Sequence, residues 1–68
     1  MRIVLNGEAH ELESDLTVSD LVHRLTDREN PPGLAVAVNG EVVLRSAWKA
    51  TTMAEGDRVE VLGAVAGG

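Results

Sequence analysis

The chain has no cysteine, no phenylalanine and no tyrosine, and Trp48 is the one aromatic residue among its 68 residues. The lack of cysteine excludes both a disulfide and a thiolate metal site as a source of stability. A chain of this length forms one domain that buries only about 60% of its unfolded surface, so marginal stability is expected. The core must be aliphatic, and ten Val, eight Leu, eight Ala and one Ile are available for it. So many β-branched residues favour strands, which indicates a small α+β protein.

Basic residues are also scarce, because six Lys and Arg are scattered among eleven Asp and Glu and the net charge is −5. Nucleic acids and anionic membranes are bound by clustered Lys and Arg, so neither is an expected partner. The acidity instead favours protein partners with basic patches. No apolar run approaches the roughly 20 residues of a membrane span, and the apolar N-terminal stretch is too short for a signal peptide. A cytoplasmic protein is therefore predicted.

Turn signals divide most of the chain into short strands. Asn6-Gly7 and Asn39-Gly40 are two-residue hairpin turns, because both residue types tolerate positive φ. The predicted strands cover residues 2–6, 8–13, 34–38, 41–45 and 58–62. Of these, residues 8–13 are typical of a sheet edge, whereas residues 34–38 are apolar on both faces and indicate an interior strand. Residues 46–56 predict an irregular crossing, with Trp48 filling the core beneath it.

One helix is predicted between the two hairpins. Thr17 has the residue type and spacing of an N-cap, with Asp20 three residues later. The apolar residues then follow at i, i+3, i+4 and i+7, as in an amphipathic helix, and they are Val18, Leu21, Val22 and Leu25. Pro31-Pro32 stops the helix, which is expected to end near Arg28.

These elements predict a ββαββ-turn-β order, with a mixed sheet of four to five strands packed on one helix. Residues 1–63 form this domain, and residues 64–68 form a flexible C-terminal tail. Catalytic groups are scarce: His10 and His23 are far apart in sequence, and no acidic spacing is typical of a metal site. We therefore expect no catalytic residue, no bound cofactor and no metal, and an independent enzyme is not expected.

The tail ends in Gly67-Gly68, which is a poor structural element but a useful chemical one. Glycine lets a partner's backbone approach closely, so Ala64, Val65, Ala66 and Gly67 form a slender stem that can thread into a narrow channel. A carboxylate at Gly68 is a poor electrophile until it is activated, and adenylation by ATP is the expected route. The protein would then be the substrate and its partner the enzyme.

In this order and length, with a projecting Gly-Gly, the chain resembles the ubiquitin-like β-grasp fold. In local detail it is similar to the sulfur carrier family of thiamin biosynthesis, ThiS, over essentially its whole length. The matching segments are Asn6-Gly7, Thr17-Val18 with Leu21, residues 37–40, residues 42–48, residues 56–60 and residues 64–68. The combination of Arg45-Ser46-x-Trp48 with Gly56-Asp57-x-Val59 and the Gly-Gly end is fairly specific, whereas each piece alone is weak. Leu44 departs from the family, whose members often carry proline there.

This resemblance implies a cycle in which an E1-like adenylating enzyme activates Gly68 with ATP and Mg²⁺. A sulfur donor of the cysteine desulfurase type then converts it to a thiocarboxylate, and thiazole synthase receives the sulfur. An apolar sheet face that includes Leu62 is a possible partner contact. The alternatives are a sulfur carrier for molybdopterin or for cysteine synthesis, a modifier conjugated to lysines, and an interaction module with an inert tail. The molybdopterin carrier typically has Phe and Pro-Pro before its glycines, and this chain does not.

Overall fold

The structure is a computed structural model that describes residues 1–63. Its elements are β1 (Arg2–Leu5), β2 (Glu8–Glu11), α1 (Val18–Thr26), β3 (Leu34–Val38), β4 (Glu41–Val43), a 3₁₀ helix (Arg45–Ala50) and β5 (Arg58–Gly63). The predicted element order is confirmed. The predicted tail, residues 64–68, lies outside the described residues.

The strands form one five-stranded mixed sheet in the order β2-β1-β5-β3-β4. The last strand in sequence lies at the centre, where β5 runs parallel to β1 and antiparallel to β3. The prediction of an interior strand at Leu34–Val38 is confirmed, since β3 pairs with both β4 and β5. The edge position predicted for β2 is also confirmed. The sheet with its one helix is the predicted α+β architecture.

Both hairpin turns have the backbone that their Asn-Gly sequences predict. Asn6 and Gly7 have φ of 49° and 86°, and Asn39 and Gly40 have φ of 51° and 86°. A two-residue turn with positive φ at both positions matches the twist of the strands it joins. Local sequence therefore determines both hairpins.

Helix α1 begins at the predicted cap but ends earlier than predicted. The Thr17 N–H donates to Asp20 Oδ2 at 3.0 Å, and the Asp20 N–H donates to Thr17 Oγ1 at 3.1 Å, so the capping box is complete. The helix ends at Thr26, because Asp27 takes a left-handed φ of 62° and donates its N–H to the His23 carbonyl. This end lies two residues before the predicted one near Arg28, and the helix does not reach Pro31-Pro32, as predicted.

The core lies between α1, the 3₁₀ helix and one face of the sheet. Its buried hydrophobic residues are Ile3, Leu5, Leu16, Val18, Leu21, Val22, Val36, Trp48, Met53 and Val59. Trp48 is 3% exposed, which confirms its predicted place in the core. Leu25 is 49% exposed, so the predicted apolar stripe loses its last member. Leu25 lies on the same side of α1 as the other apolar residues, but it is in the last turn of the helix and is not part of the buried core.

Two exposed carboxylates near α1 have a lowered pKa. The Thr17 N–H lowers the pKa of Asp20, and a hydrogen bond from Arg24 Nη2 at 2.6 Å lowers the pKa of Glu13. Since the folded-state values lie below the unfolded-state ones, these bonds stabilise the protein above the unfolded-state pKa. Their contribution is lost only as the pH falls through the folded-state pKa values, so stability near neutral pH does not depend on them titrating.

Candidate functional site

The candidate site is the end of β5, the last described element before the Gly-Gly sequence. Gly63 is the last described residue, and it pairs with Leu34 at the start of β3. The predictions for Ala64, Val65, Ala66, Gly67 and Gly68 fall on residues outside the described part, so they stay predictions. The structure does describe β5, the strand that precedes this segment, and the residues that hold β5 in the sheet.

Strand β5 is held on both sides over much of its length. On the β1 side, the Val4 N–H donates to the Asp57 carbonyl and the Asn6 N–H donates to the Val59 carbonyl, both at 2.9 Å. On the β3 side, antiparallel pairing continues from Val59 to Gly63. Val59, the second residue of β5, is fully buried. A central, doubly paired strand is the most rigid place in a small sheet from which to project a chain end.

Arg45 holds the chain at the start of β3, the strand that pairs with the end of β5. Its guanidinium donates to the Leu34 carbonyl at 3.1 Å, to the Pro31 carbonyl at 2.8 Å and to Asn30 Oδ1. The same group lies over the Trp48 ring, 4.4 Å from the ring centroid, at a distance typical of a cation–π contact. Arg45 therefore connects the 3₁₀ helix to the entry of β3, next to the pair formed by Leu34 and Gly63.

The 3₁₀ helix is anchored in turn by Trp48. The indole N–H donates to the Val43 carbonyl at 3.1 Å, so the ring is buried with its polar atom satisfied. This explains why Arg45 and Trp48 occur together at a spacing of three residues. On a helical turn that spacing places the two side chains on one side, where the guanidinium can cover the ring.

The sheet face opposite α1 carries an apolar patch beside the end of β5. Leu62, Val42 and Leu44 are 70%, 71% and 68% exposed. Leu62 pairs with Ala35 and Val42 pairs with Ala37, which puts all four residues on this face. Leu44 lies after the end of β4, at the cap of the 3₁₀ helix, and has no partner in the sheet register. We call Leu62, Ala35, Ala37 and Val42 the open-face patch.

The open-face patch becomes charged as it continues away from the chain end. Glu60 pairs with Ala37 and lies on the same face, and Arg58 lies on that face beside Val4. Large exposed side chains that cluster at one end of a sheet are typical of a protein contact surface. Since Leu62 immediately precedes Gly63, a partner bound to this patch would lie next to the last described residue of the chain.

The two histidines lie on separate elements and away from β5. His10 is on the edge strand β2, with its Nε2 3.8 Å from Glu8 Oε1, and His23 is exposed on α1. Within residues 1–63, no group of three or more His, Cys, Asp or Glu is placed to hold a metal ion. Two surface grooves of about 340 and 450 Å³ lie beside the 3₁₀ helix and β4, and neither is lined by a residue of β5. None of the helices in the described part is long and apolar enough to cross a membrane.

The sequence predicted Leu62 on an open sheet face, and the structure exposes it there, while its role as a partner contact stays a prediction. Alternation along the predicted strand 41–45 indicates the open-face position of Val42, but the structure ends this strand at Val43, and the 3₁₀ helix begins at Arg45. The contact between Arg45 and Trp48 was signalled by their i, i+3 spacing. The hydrogen bonds of Asn6 and Asn39 to β5 could not be predicted from the sequence, because they join residues far apart in the chain.

Comparisons with known proteins agree on one family. The sequence model of the ThiS family matches residues 3–68. The chain is 31% identical to the sulfur carrier protein ThiS of Escherichia coli over 68 residues, which cover all of both chains. Its structure is similar to the crystal structure of the thiamine biosynthesis protein ThiS from Geobacter metallireducens, with a TM-score of 0.81, 34% identity and full coverage of both chains. A solution NMR structure of a thiamine biosynthesis protein from the same organism matches all of this chain and 88% of that one, with a TM-score of 0.80 and 34% identity.

Proposed function

This chain belongs to the ThiS family and is a sulfur carrier of thiamin biosynthesis, and from that premise we propose that Gly68 is the residue that carries the sulfur. The family assignment favours the thiamin pathway over molybdopterin synthesis, cysteine synthesis and lysine conjugation. In our proposal residues 64–67 form the stem that brings the Gly68 carboxylate to a partner's active site. The small side chains of Ala64, Ala66 and Gly67 suit a narrow channel.

The proposed chemistry takes place on the Gly68 carboxylate in two stages. An E1-like adenylating enzyme first joins the carboxylate to the α-phosphate of ATP, and pyrophosphate leaves. The persulfide of a cysteine desulfurase-type donor then attacks the acyl carbon, and AMP leaves. A thiol reductant cleaves the resulting acyl disulfide, so that the thiocarboxylate remains on Gly68. Thiazole synthase is the proposed acceptor of this sulfur. ATP and Mg²⁺ act in the active site of the adenylating enzyme. The proposed location of the cycle is the cytoplasm.

The observation that supports this proposal is the position of Leu62 directly before the end of β5. Leu62 is a large apolar residue that is 70% exposed, because it lies in the open-face patch and not on the face that packs against the core. A partner that covers this patch would remove apolar area from water and hold the carrier with its chain end directed inwards. The net charge of −5 favours basic residues on such a partner.

The test is the intact mass of the protein after incubation with ATP, Mg²⁺, the cognate adenylating enzyme and a sulfur donor. We expect a gain equal to the mass difference between sulfur and oxygen, located on Gly68 by fragmentation. An unchanged mass with an adenylating enzyme of proven activity would refute the proposal. Higher-mass adducts that survive denaturation would instead support a lysine-conjugated modifier.

Replacing Leu62 with alanine is expected to weaken partner binding without unfolding the protein. An anchoring leucine in a contact patch contributes roughly 1–2 kcal/mol, so the Kd for the adenylating enzyme is expected to rise about 10-fold. The denaturation midpoint is expected to stay unchanged, because this side chain is largely exposed in the free protein. Calorimetric titration measures the Kd. The matched control is Leu25→Ala, which removes an exposed leucine from the helix side of the molecule, and equal Kd values for the two variants would exclude Leu62 from the contact.

A further inference from the structure

The side chain of Asn6 continues the pairing of β1 with β5 after β1 itself has ended. At Asn6 the backbone turns into the hairpin with a φ of 49°, so it can no longer follow β5. The Asn6 carboxamide takes over this position: its Oδ1 accepts the Val61 N–H at 2.9 Å, and its Nδ2 donates to the Val61 carbonyl at 3.2 Å. A carboxamide has the donor and acceptor of a peptide group, so it can substitute for one more residue of the neighbouring strand.

This contact lies close to the chain end. Val61 precedes Gly63 by two residues, and on the β1 side the last backbone hydrogen bond to β5 is made at Val59. Beyond Val59, the β1 side of β5 is therefore held by the Asn6 side chain, while β3 pairs with the opposite side. Together they hold the last described part of β5 from both sides, Asn6 at Val61 and β3 as far as Gly63.

We propose that Asn6 is a positioning residue for the carrier reaction, which holds the end of β5 so that the following segment enters the partner's site in one direction. This inference rests on the proposed function, since it assumes that residues 64–68 must reach that site. Without the carboxamide, one side of the strand end is free to separate from the sheet at Val61. The carrier would then present its chain end over a wider range of directions, and fewer encounters would be productive.

The chain supplies a matched control in its second Asn-Gly turn. Asn39 has nearly the same backbone, with a φ of 51°, and it also bonds to β5. Its Oδ1 accepts the Arg58 N–H at 2.9 Å, and its Nδ2 donates to Asp57 Oδ1 at 3.0 Å. These bonds hold the start of β5, at the opposite end from Gly63. Asn6→Gly and Asn39→Gly thus remove the same group from the same kind of turn, and glycine accepts the positive φ of both.

Amide hydrogen exchange measures the contact between Asn6 and Val61 without any partner. Asn6→Gly is expected to raise the exchange rate of the Val61 amide about 10-fold, as for the loss of one net hydrogen bond. Asn39→Gly is expected to raise exchange at Arg58 and to leave Val61 unchanged. Asn6→Asp keeps the acceptor for the Val61 N–H and tolerates positive φ, so an intermediate rate is expected. An unaltered Val61 rate in Asn6→Gly would overturn the inference at this step.

The functional test is carrier-dependent exchange of pyrophosphate into ATP by the cognate adenylating enzyme, which needs no sulfur donor. With both variants confirmed as folded, Asn6→Gly is expected to raise the KM for the carrier by about 5-fold with kcat unchanged, because a smaller fraction of carriers is presented correctly. Asn39→Gly is expected to keep the wild-type KM, and Asn6→Asp is expected to fall between. The same KM in both glycine variants would overturn this inference alone. Failure of the wild-type protein to support exchange would overturn the proposed function.

Discussion

Removal of Gly67 and Gly68 is expected to abolish adenylation and thiocarboxylate formation while the domain stays folded. Each residue extends the chain by at most about 3.6 Å, so the shortened chain would present its carboxylate about 7 Å away from the reacting phosphate. A displacement of about 1 Å from the reactive geometry already costs up to about 100-fold in rate. We therefore expect carrier-dependent pyrophosphate exchange to fall below detection.

Stability is expected to be unaffected by this deletion, because within residues 1–63 the buried core already forms between Ile3 and Val59. Chemical denaturation followed by circular dichroism checks this, and an unchanged midpoint separates loss of the reactive group from loss of the fold. The matched control carries one alanine added after Gly68, which keeps both glycines but moves the carboxylate. We expect it to be inactive as well. Full activity of the deletion variant would show that the reactive group lies elsewhere, as in an interaction module with an inert tail.

Trp48→Ala is expected to unfold most of the protein. Truncation of a buried tryptophan costs about 3–5 kcal/mol, and a domain of this size has a total stability of roughly 3–10 kcal/mol. The loss is compounded because the indole N–H binds the Val43 carbonyl and the ring supports the Arg45 guanidinium. Without the ring, both the 3₁₀ helix and the entry to β3 lose their anchor.

Thermal and chemical denaturation followed by far-ultraviolet circular dichroism measure this effect. Leu25→Ala is the control, since that side chain is 49% exposed and its truncation is expected to cost less than about 1 kcal/mol. Trp48→Phe keeps most of the apolar volume and loses the indole hydrogen bond, so an intermediate midpoint is expected. A Trp48→Ala variant with the wild-type midpoint would contradict the role of this residue in the core.

Several features of the fold were predictable because their causes are local. The Asn-Gly turns depend on positive φ at two adjacent residues, and the capping box depends on Thr17 and Asp20 three residues apart. The end of α1 was predicted less well. The prolines at positions 31 and 32 forbid a longer helix, but they do not prevent an earlier end, and Asp27 ends it by adopting a left-handed backbone.

For the site, the sequence alone predicted the chemistry: with no cysteine and no clustered catalytic groups, the Gly-Gly sequence is the predicted reactive group, and the motifs of the chain indicated the family. Only the tertiary structure decided which contacts hold β5, the strand that precedes that sequence. It placed β5 at the centre of the sheet, paired Leu62 with Ala35, and set the carboxamide of Asn6 against Val61. These pairs join residues 27 and 55 positions apart, and such pairings follow from how the sheet closes, which no short stretch of sequence specifies.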